Sequence, residues 1–277
     1  MFSLFFSATE LDCCVIPVRN NLKLIQTTDF FYANIDDPYT MECALKAGTS
    51  VRGGQTTYNP WVLIGGAATA VVPDSEYIMP TQSKPGDVLV LTKPLGTQLA
   101  VTAYNWMKDQ SDTWKEKCTP RITEEKMASL YNAATLSMAR LNRYAAKLMH
   151  IHGARACTDV TGFGALGHAR NLAAVQTAEV TFEIDRLPCL EGAYQLSKAL
   201  AAKHHLDTAL TPETSGGLLI AIPEEKAVRY IKDLYELDGN QSWIVGRVIS
   251  APTPADARTA RLSTNLEIIE VPHDSVV

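Results

Sequence analysis

The residues with the most chemistry in their spacing lie in DVTGFGALGH, residues 159–168. Gly162, Gly164 and Gly167 spell G-x-G-x-x-G, and Asp159 stands immediately before them. Glycines at this spacing let backbone N–H groups approach a pyrophosphate closely, as in a dinucleotide-binding turn. A carboxylate beside a polyphosphate is repulsive unless a cation bridges the two, and Mg²⁺ does so, binding through one or two carboxylates plus phosphate oxygens. Three readings stay open on these residues: a metal–nucleotide site, a dinucleotide site, and an aspartate that closes a tight turn. Asp185, about twenty residues on, sits where a ribose-binding acid would be expected. The weak strand Arg155–Thr158 and the position of Asp159 count against a dinucleotide.

Other residues share this logic. Asp12 precedes an apolar stretch, and Asp29 follows Thr27 and Thr28 at the expected end of a strand. Gly53, Gly54, Gln55 and Thr56 offer backbone donors and polar side chains to a phosphate. Each is weak alone, since an aspartate at a strand end is usually a turn former. His150, His152, His168, His204, His205 and His273 show no zinc spacing. His168 is expected to orient a backbone group, and His204 and His205 to face solvent. The chain contains no Walker A motif, kinase loop or serine–histidine–aspartate signature.

Elements must position these groups. Residues 14–34 read as strands, and 47–72 as two strands around a glycine-rich loop. DVLVLTKPLGT, 87–97, is a buried strand and a turn. Residues 123–150 read as one helix, with Thr123 as cap, Glu124 and Glu125 in the first turn, and Gly153 as terminator. A helix follows the glycine turn from about Leu166 to Ala174. VTFEI (180–184) is a strand, 192–203 a helix, and TSGGLLIAIP (214–223) a strand opened by glycines. EEKAVRYIKDLYEL is an amphipathic helix. SWIVGRVI and NLEIIEV are closing strands. Strands alternating with helices give an α/β part and an α+β part. A boundary is expected near residues 79–86, giving domains 1–80 and 81–277.

Composition narrows the classes. The 277 residues are 46% hydrophobic, 20% charged, with a net charge of −5. No basic tract suggests nucleic acid, no apolar run is long enough to span a bilayer, and the start does not resemble a signal peptide. Cys13, Cys14, Cys43, Cys118, Cys157 and Cys189 contain no C-x-x-C pair and read as reduced thiols of a cytoplasmic protein.

Read together, "TTDFFY…DDPY", "AGTSVRGGQTTYNPW", "GDVLVLTKPLGTQ", "TDVTGFGALGHARNLA" and "PETSGGLLIAIP" resemble selenophosphate synthetase (selenide, water dikinase), particularly its animal form. The resemblance runs from about Asp12 to the C-terminus. It implies an aminoimidazole-ribonucleotide-synthetase-like two-domain fold, whose N-terminal domain pairs in a homodimeric barrel. It implies conversion of ATP, selenide and water to selenophosphate, AMP and phosphate for selenocysteine synthesis. The family's metal-binding aspartates map onto Asp12 and Asp159, and its ATP contacts onto Asp29, Gly53, Gly54, Gln55 and Thr56. On this resemblance the turn is a Mg²⁺–ATP site and its G-x-G-x-x-G is coincidental.

The chain also departs from the family. MFSLFFSATEL does not match the glycine-rich segment that carries the family's cysteine or selenocysteine and its lysine, so no catalytic residue is assigned. DDPYT runs directly into MECALKAGTS, where the family has a helix with a further metal aspartate and then a strand. Two outcomes are therefore expected from sequence: an ATP-dependent enzyme, or an inactive chain that pairs with itself or with a full-length subunit.

Overall fold

A computed structural model describes residues 13–32, 60, 63–201 and 204–276. Within them the chain forms two compact units that part between Ile78 and Met79.

The first unit is a three-stranded antiparallel sheet, β1 (Cys13–Pro17), β2 (Leu22–Tyr32) and β3 (Leu63–Pro73), in that order. Asn20 and Asn21 turn β1 into β2 with φ of 61° and 58°. Positive φ at both central residues is the hairpin turn whose twist matches the flanking strands, and asparagine tolerates it best among residues with a Cβ. β2 does not stop at Asp29, as expected from Thr27-Thr28-Asp29, but runs on to Tyr32. Its partner is long enough to carry it: Asp29 pairs with Gly66 and Tyr32 with Leu63. A continuous ladder outweighs the turn preference of one aspartate.

The second unit is built on a six-stranded sheet. β4 (Asp87–Leu91), β5 (Ala156–Asp159), β6 (Val180–Leu190), β7 (Leu218–Pro223), β8 (Trp243–Ser250) and β9 (Thr259–Val271) lie in the order β5-β7-β4-β8-β6-β9. All neighbours are antiparallel except β6 and β9. All five residues of β4 are buried, so the sheet is covered on both faces there. Leu89, Leu91, Leu219 and Ala221 enter the main core. Their alternates Val88, Val90, Ile220 and Ile222 are equally buried and must face the opposite side.

Helices supply the covers. Helix α1 (Thr97–Lys108) packs on α2 (Glu124–Ala139), where Tyr104 and Tyr131 stack with centroids 3.9 Å apart. Helix α3 (Arg143–His152) packs on α6 (Glu224–Asp238), and Tyr230 donates its hydroxyl to the Ala145 carbonyl at 3.1 Å. Helix α4 (Gly164–Ala174) lies against β5, β6 and β9; α5 (Ala193–Lys198) is a short helix after β6. Among the described residues no helix is long and apolar enough to cross a membrane.

Residues 123–150, expected as one helix, are two. The break falls at Arg140–Leu141–Asn142, and tertiary hydrogen bonds cause it. The Arg140 guanidinium donates to the Thr92 carbonyl, the Arg140 carbonyl accepts from Lys93 Nζ at 2.6 Å, and Asn142 Nδ2 donates to the Gly216 carbonyl at 3.0 Å. The cap and terminator are as expected: Thr123 accepts from Lys126 N, and Gly153 adopts φ 67°. Thr123→Ala should cost about 1 kcal/mol, read as a lower urea midpoint; an unchanged midpoint would show the cap to be idle. The expected helix 192–203 is shorter, because Ser197 bonds back to the Tyr194 carbonyl and the helix ends at Lys198.

Candidate functional site

Asp159 is the last residue of β5, an edge strand of the six-stranded sheet that pairs with β7. It is partly exposed. The chain then turns through Val160–Phe163 into α4. Backbone bonds fix the turn from several sides. Val160 N donates to the Gly217 carbonyl at 2.9 Å, Glu213 N to the Thr161 carbonyl at 2.9 Å, and Leu166 N to the Ala209 carbonyl at 2.8 Å. His168 Nε2 accepts from Phe163 N at 3.4 Å and meets Thr161 Oγ1 at 3.1 Å. That bond places the Nε2 lone pair on the turn, so the imidazole orients backbone, as expected from sequence.

The three glycines of the motif do different things. Gly164 has φ 70°, and a Cβ there would lie 2.6 Å from the Ala209 carbonyl oxygen. A Cβ on Gly167 would meet Phe163 Cβ at 2.7 Å. These two are required by packing. A Cβ on Gly162 would meet nothing within 4 Å, so packing does not require glycine there, and its backbone is open to approach.

The dinucleotide alternative does not survive the topology. A dinucleotide fold needs adjacent parallel strands joined through the helix. Here β5 is antiparallel to β7, and β6 lies four places away in the sheet. Asp185, the expected ribose acid, instead pairs with Arg247 at 3.3 Å.

The loop TPETSGG (211–217) closes against the Asp159 turn. A Cβ on Gly216 would fall 1.9 Å from the Val160 carbonyl oxygen, and one on Gly217 would fall 2.5 Å from Lys93 N. Buried Lys93 donates to the Ser215 carbonyl at 2.8 Å, and Thr92 Oγ1 accepts from Leu218 N at 2.8 Å. Glu213, 4% exposed, accepts from Gly96 N at 2.7 Å, Thr97 N at 2.8 Å and Thr97 Oγ1 at 2.5 Å.

Burial pushes the Glu213 carboxyl up to about 7, although all three donors act to lower it. The unfolded carboxyl loses its proton near its ordinary 4.5, while the folded one keeps it to about 7. The folded state therefore binds more protons across that window, and stability falls as pH rises through it. When protonated, the carboxyl can donate to Thr97 Oγ1, which in turn reaches the Thr214 carbonyl at 3.2 Å. Denaturation midpoints of the wild type should fall between about pH 5 and about pH 8, and Glu213→Gln should flatten that slope. Parallel curves for the two proteins would contradict this.

Two thiols, Cys157 and Cys189, are held protonated. Burial, with Asp159 adding to it, pushes the Cys157 thiol far above its ordinary value, and Cys189 behaves alike in its buried site. Neither carries thiolate character near neutrality. Cys14, Cys118, Cys157 and Cys189 are free thiols.

Of the residues predicted for the site, Asp159 is at the glycine turn and Asp29 lies within β2. Asp12, Gly53, Gly54, Gln55 and Thr56 lie outside the described residues. His204 and His205, expected in solvent, are half-buried: His205 bonds to the Leu200 carbonyl at 3.1 Å, and His204 sits edge-on to Trp106. Among the described residues, no three histidines, cysteines or carboxylates gather as a metal cage. One partly exposed carboxylate beside an open glycine backbone fits an ion held mainly by phosphate oxygens, as Mg²⁺ is. Glu213, Lys93 and Thr97 are not among the residues expected at the site from sequence. The signal for them is an acid and a lysine inside otherwise apolar or glycine-rich stretches, TPETSGG and LTKPLGT.

Comparison with known proteins places the fold first. The family described as "AIR synthase related protein, C-terminal domain" matches residues 84–255. Thiamine-monophosphate kinase from Stenotrophomonas maltophilia shares the fold, with a TM-score of 0.59 at 15% identity over 91% of both chains. A second solved structure, "AaThiL complexed with AMPPCP and TMP", has a TM-score of 0.61 at 13% identity, over 91% of this chain and 86% of the other. The chain is thus an AIR-synthase-related protein.

Within that class it belongs to the selenide, water dikinase family. It is 39% identical to selenide, water dikinase of Trypanosoma brucei brucei, over 94% of this chain and 80% of the relative. It is 40% identical to selenide, water dikinase 2 of Homo sapiens, over 94% and 68% respectively. The trypanosome alignment runs over 318 positions against a chain of 277 residues, so at least 41 residues of the relative have no counterpart here.

Proposed function

We propose that this chain transfers phosphoryl groups from Mg²⁺–ATP in the manner of its family, taking ATP, selenide and water to selenophosphate, AMP and phosphate. Asp159 and Asp12 would hold Mg²⁺, and Asp29, Gly53, Gly54, Gln55 and Thr56 would contact ATP. The product would feed selenocysteine synthesis in the cytoplasm.

The observation that carries this reading is the carboxylate of Asp159 at the mouth of a turn whose Gly162 backbone stands open. Bound Mg²⁺ supplies charge neutralisation for the phosphates in such a site. The chain's own groups bind and orient. The turn presents backbone to the ligand, His168 holds Phe163 N, and the TSGG loop backs Val160. Selenide, an anion, would be the nucleophile.

The reading is tested by incubating the purified chain with Mg²⁺, ATP and selenide, following AMP by a coupled assay and selenophosphate by phosphorus NMR. Selenide-dependent AMP is the expected product.

A second reading, a non-catalytic partner, is favoured by the 41 or more residues without counterpart and by the open apolar side chains of the first unit's sheet. Ile16 is 45% and Val71 55% exposed. Such a chain would form a homodimer, or a heterodimer with a full-length subunit. It would release no AMP yet co-purify with differently tagged full-length protein. A strictly monomeric chain that ignores that protein would exclude it.

A further inference from the structure

The loop TPETSGG meets the Asp159 turn at two places, Gly217 O accepting from Val160 N and Glu213 N donating to Thr161 O. Glu213 uses its main chain in one direction and its side chain in the other. Its N–H donates to the Thr161 carbonyl at 2.9 Å, two residues after Asp159. Its carboxyl accepts from Gly96 N, Thr97 N and Thr97 Oγ1 at the start of the twelve-residue helix α1.

We propose that Glu213 is a positioning residue: a buried carboxyl that anchors the TPETSGG loop to the first turn of α1 and thereby fixes where the Asp159 turn stands. This rests on Asp159 being the metal-binding residue of the nucleotide site.

Three features support it. First, burying a carboxyl is unfavourable unless every lone pair is used, and an apolar residue would fill the same volume without that cost. Both oxygens of Glu213 are engaged: Oε1 by Gly96 N, Oε2 by both groups of Thr97. A group kept in this setting constrains geometry rather than adding cohesion. Second, the anchor is rigid. Gly96 has φ 109°, its missing Cβ would stand 2.9 Å from Ala193 Cβ, and Leu95 is bridged to Cys189 of β6. The start of α1 is thus tied to the sheet. Third, the loop is clamped beyond Glu213 as well. Thr214 N donates to Thr97 Oγ1 at 3.1 Å, Ser215 O accepts from Lys93, and Gly216 O accepts from Asn142. With Glu213 truncated to alanine, Lys93 and Asn142 would still hold Ser215 and Gly216, and the main-chain bond to Thr161 would remain, but the residue making it would have lost its anchor on α1.

Side-chain length matters. Aspartate is one methylene shorter and cannot hold Gly96 and Thr97 while its N–H stays on Thr161. Glutamine keeps the length but offers an amide N–H to a site of donors, where Thr97 Oγ1 alone can accept it. The expected order of function is therefore wild type, then Gln, then Asp and Ala.

The experiment compares full-length wild type with Glu213→Gln, Glu213→Asp, Glu213→Ala, Asp159→Asn and the core control Leu130→Ala. Amide hydrogen exchange is read peptide by peptide, and affinity for Mn²⁺–ATP is read by electron paramagnetic resonance. Glu213→Ala should speed exchange in residues 92–98, 159–166 and 211–217 while β6, β8 and β9 stay protected. It should weaken Mn²⁺–ATP on the order of tenfold, the usual effect of removing a group that supports a metal ligand. Leu130→Ala should loosen α1 and α2 without that affinity loss, as a merely structural defect would. Unchanged exchange in 159–166, or exchange raised uniformly over the second unit, overturns the proposal. So does Mn²⁺–ATP affinity that Asp159→Asn weakens but Glu213→Ala leaves intact. If Asp159→Asn itself binds like wild type, the nucleotide reading of Asp159 fails, and the exchange pattern alone decides whether Glu213 positions the turn.

Discussion

Asp159→Asn is expected to reduce Mg²⁺–ATP-dependent turnover by roughly 10²–10³, the loss that follows removal of one preorganised charged group at a transition state. The substitution is nearly isosteric, and Asp159 is partly exposed at the end of an edge strand. The β5–β7 ladder uses its backbone, which asparagine keeps. The fold should therefore persist, and the effect should be one of charge. An asparagine carbonyl can still touch a cation, but it cannot neutralise one, and the polyphosphate then meets an ion less tightly held. Titration calorimetry of Mg²⁺–ATP on the same variants separates binding from chemistry. His204→Gln is the companion control, since His204 is half-buried against Trp106. Two variants that bind Mg²⁺–ATP alike would mean that Asp159 is not the site.

The amino-acid sequence carries the local features of this fold openly. The strand at 87–91, the cap at Thr123, the stop at Gly153 and the helix after the glycine turn are matters of period, cap and φ, each written in neighbouring residues. What is illegible lies in long-range contacts. Nothing within residues 123–150 announces a break at Arg140–Asn142, because Thr92, Lys93 and Gly216, distant in the chain, make it. The same holds for the acid in PETSGG. Glu213 reads as a solvated loop residue until its carboxyl is seen on Gly96 and Thr97, 116 to 117 positions away. Helix α1 escapes a reading by periodicity because its apolar residues Leu99, Ala100, Val101 and Ala103 crowd together without clean spacing. The glycine motif misleads in an instructive way. Its spacing suggests one function for three glycines, whereas Gly164 and Gly167 answer to packing and only Gly162 leaves an opening.

That division yields the sharpest test of how loop and turn cooperate. Gly216→Ala is expected to destabilise the second unit by about 3 kcal/mol, the upper end of ordinary overpacking. For a chain of this size that lowers Tm by roughly 6–12 °C. The added Cβ would lie 1.9 Å from the Val160 carbonyl oxygen and 3.1 Å from its carbon, so a backbone must move. Val160 cannot retreat freely, since it is fully buried and its N–H is bonded to Gly217. The loop cannot retreat either, because Gly217 already sits against Lys93 and Thr92. The displacement must pass into the residue next to Asp159, so affinity for Mg²⁺–ATP should fall along with Tm. Gly162→Ala makes the opposite prediction. Its Cβ enters open space at a backbone angle that alanine accepts, so Tm should change little, within about 0.5 kcal/mol of stability. Only a ligand approaching the turn would meet the methyl group, so nucleotide affinity should fall alone. Calorimetric melting and Mg²⁺–ATP titration on both variants resolve the matter. A wild-type Tm for Gly216→Ala would show that the loop can move away from the turn, and wild-type nucleotide binding by Gly162→Ala would show that the open backbone is not where the ligand lies.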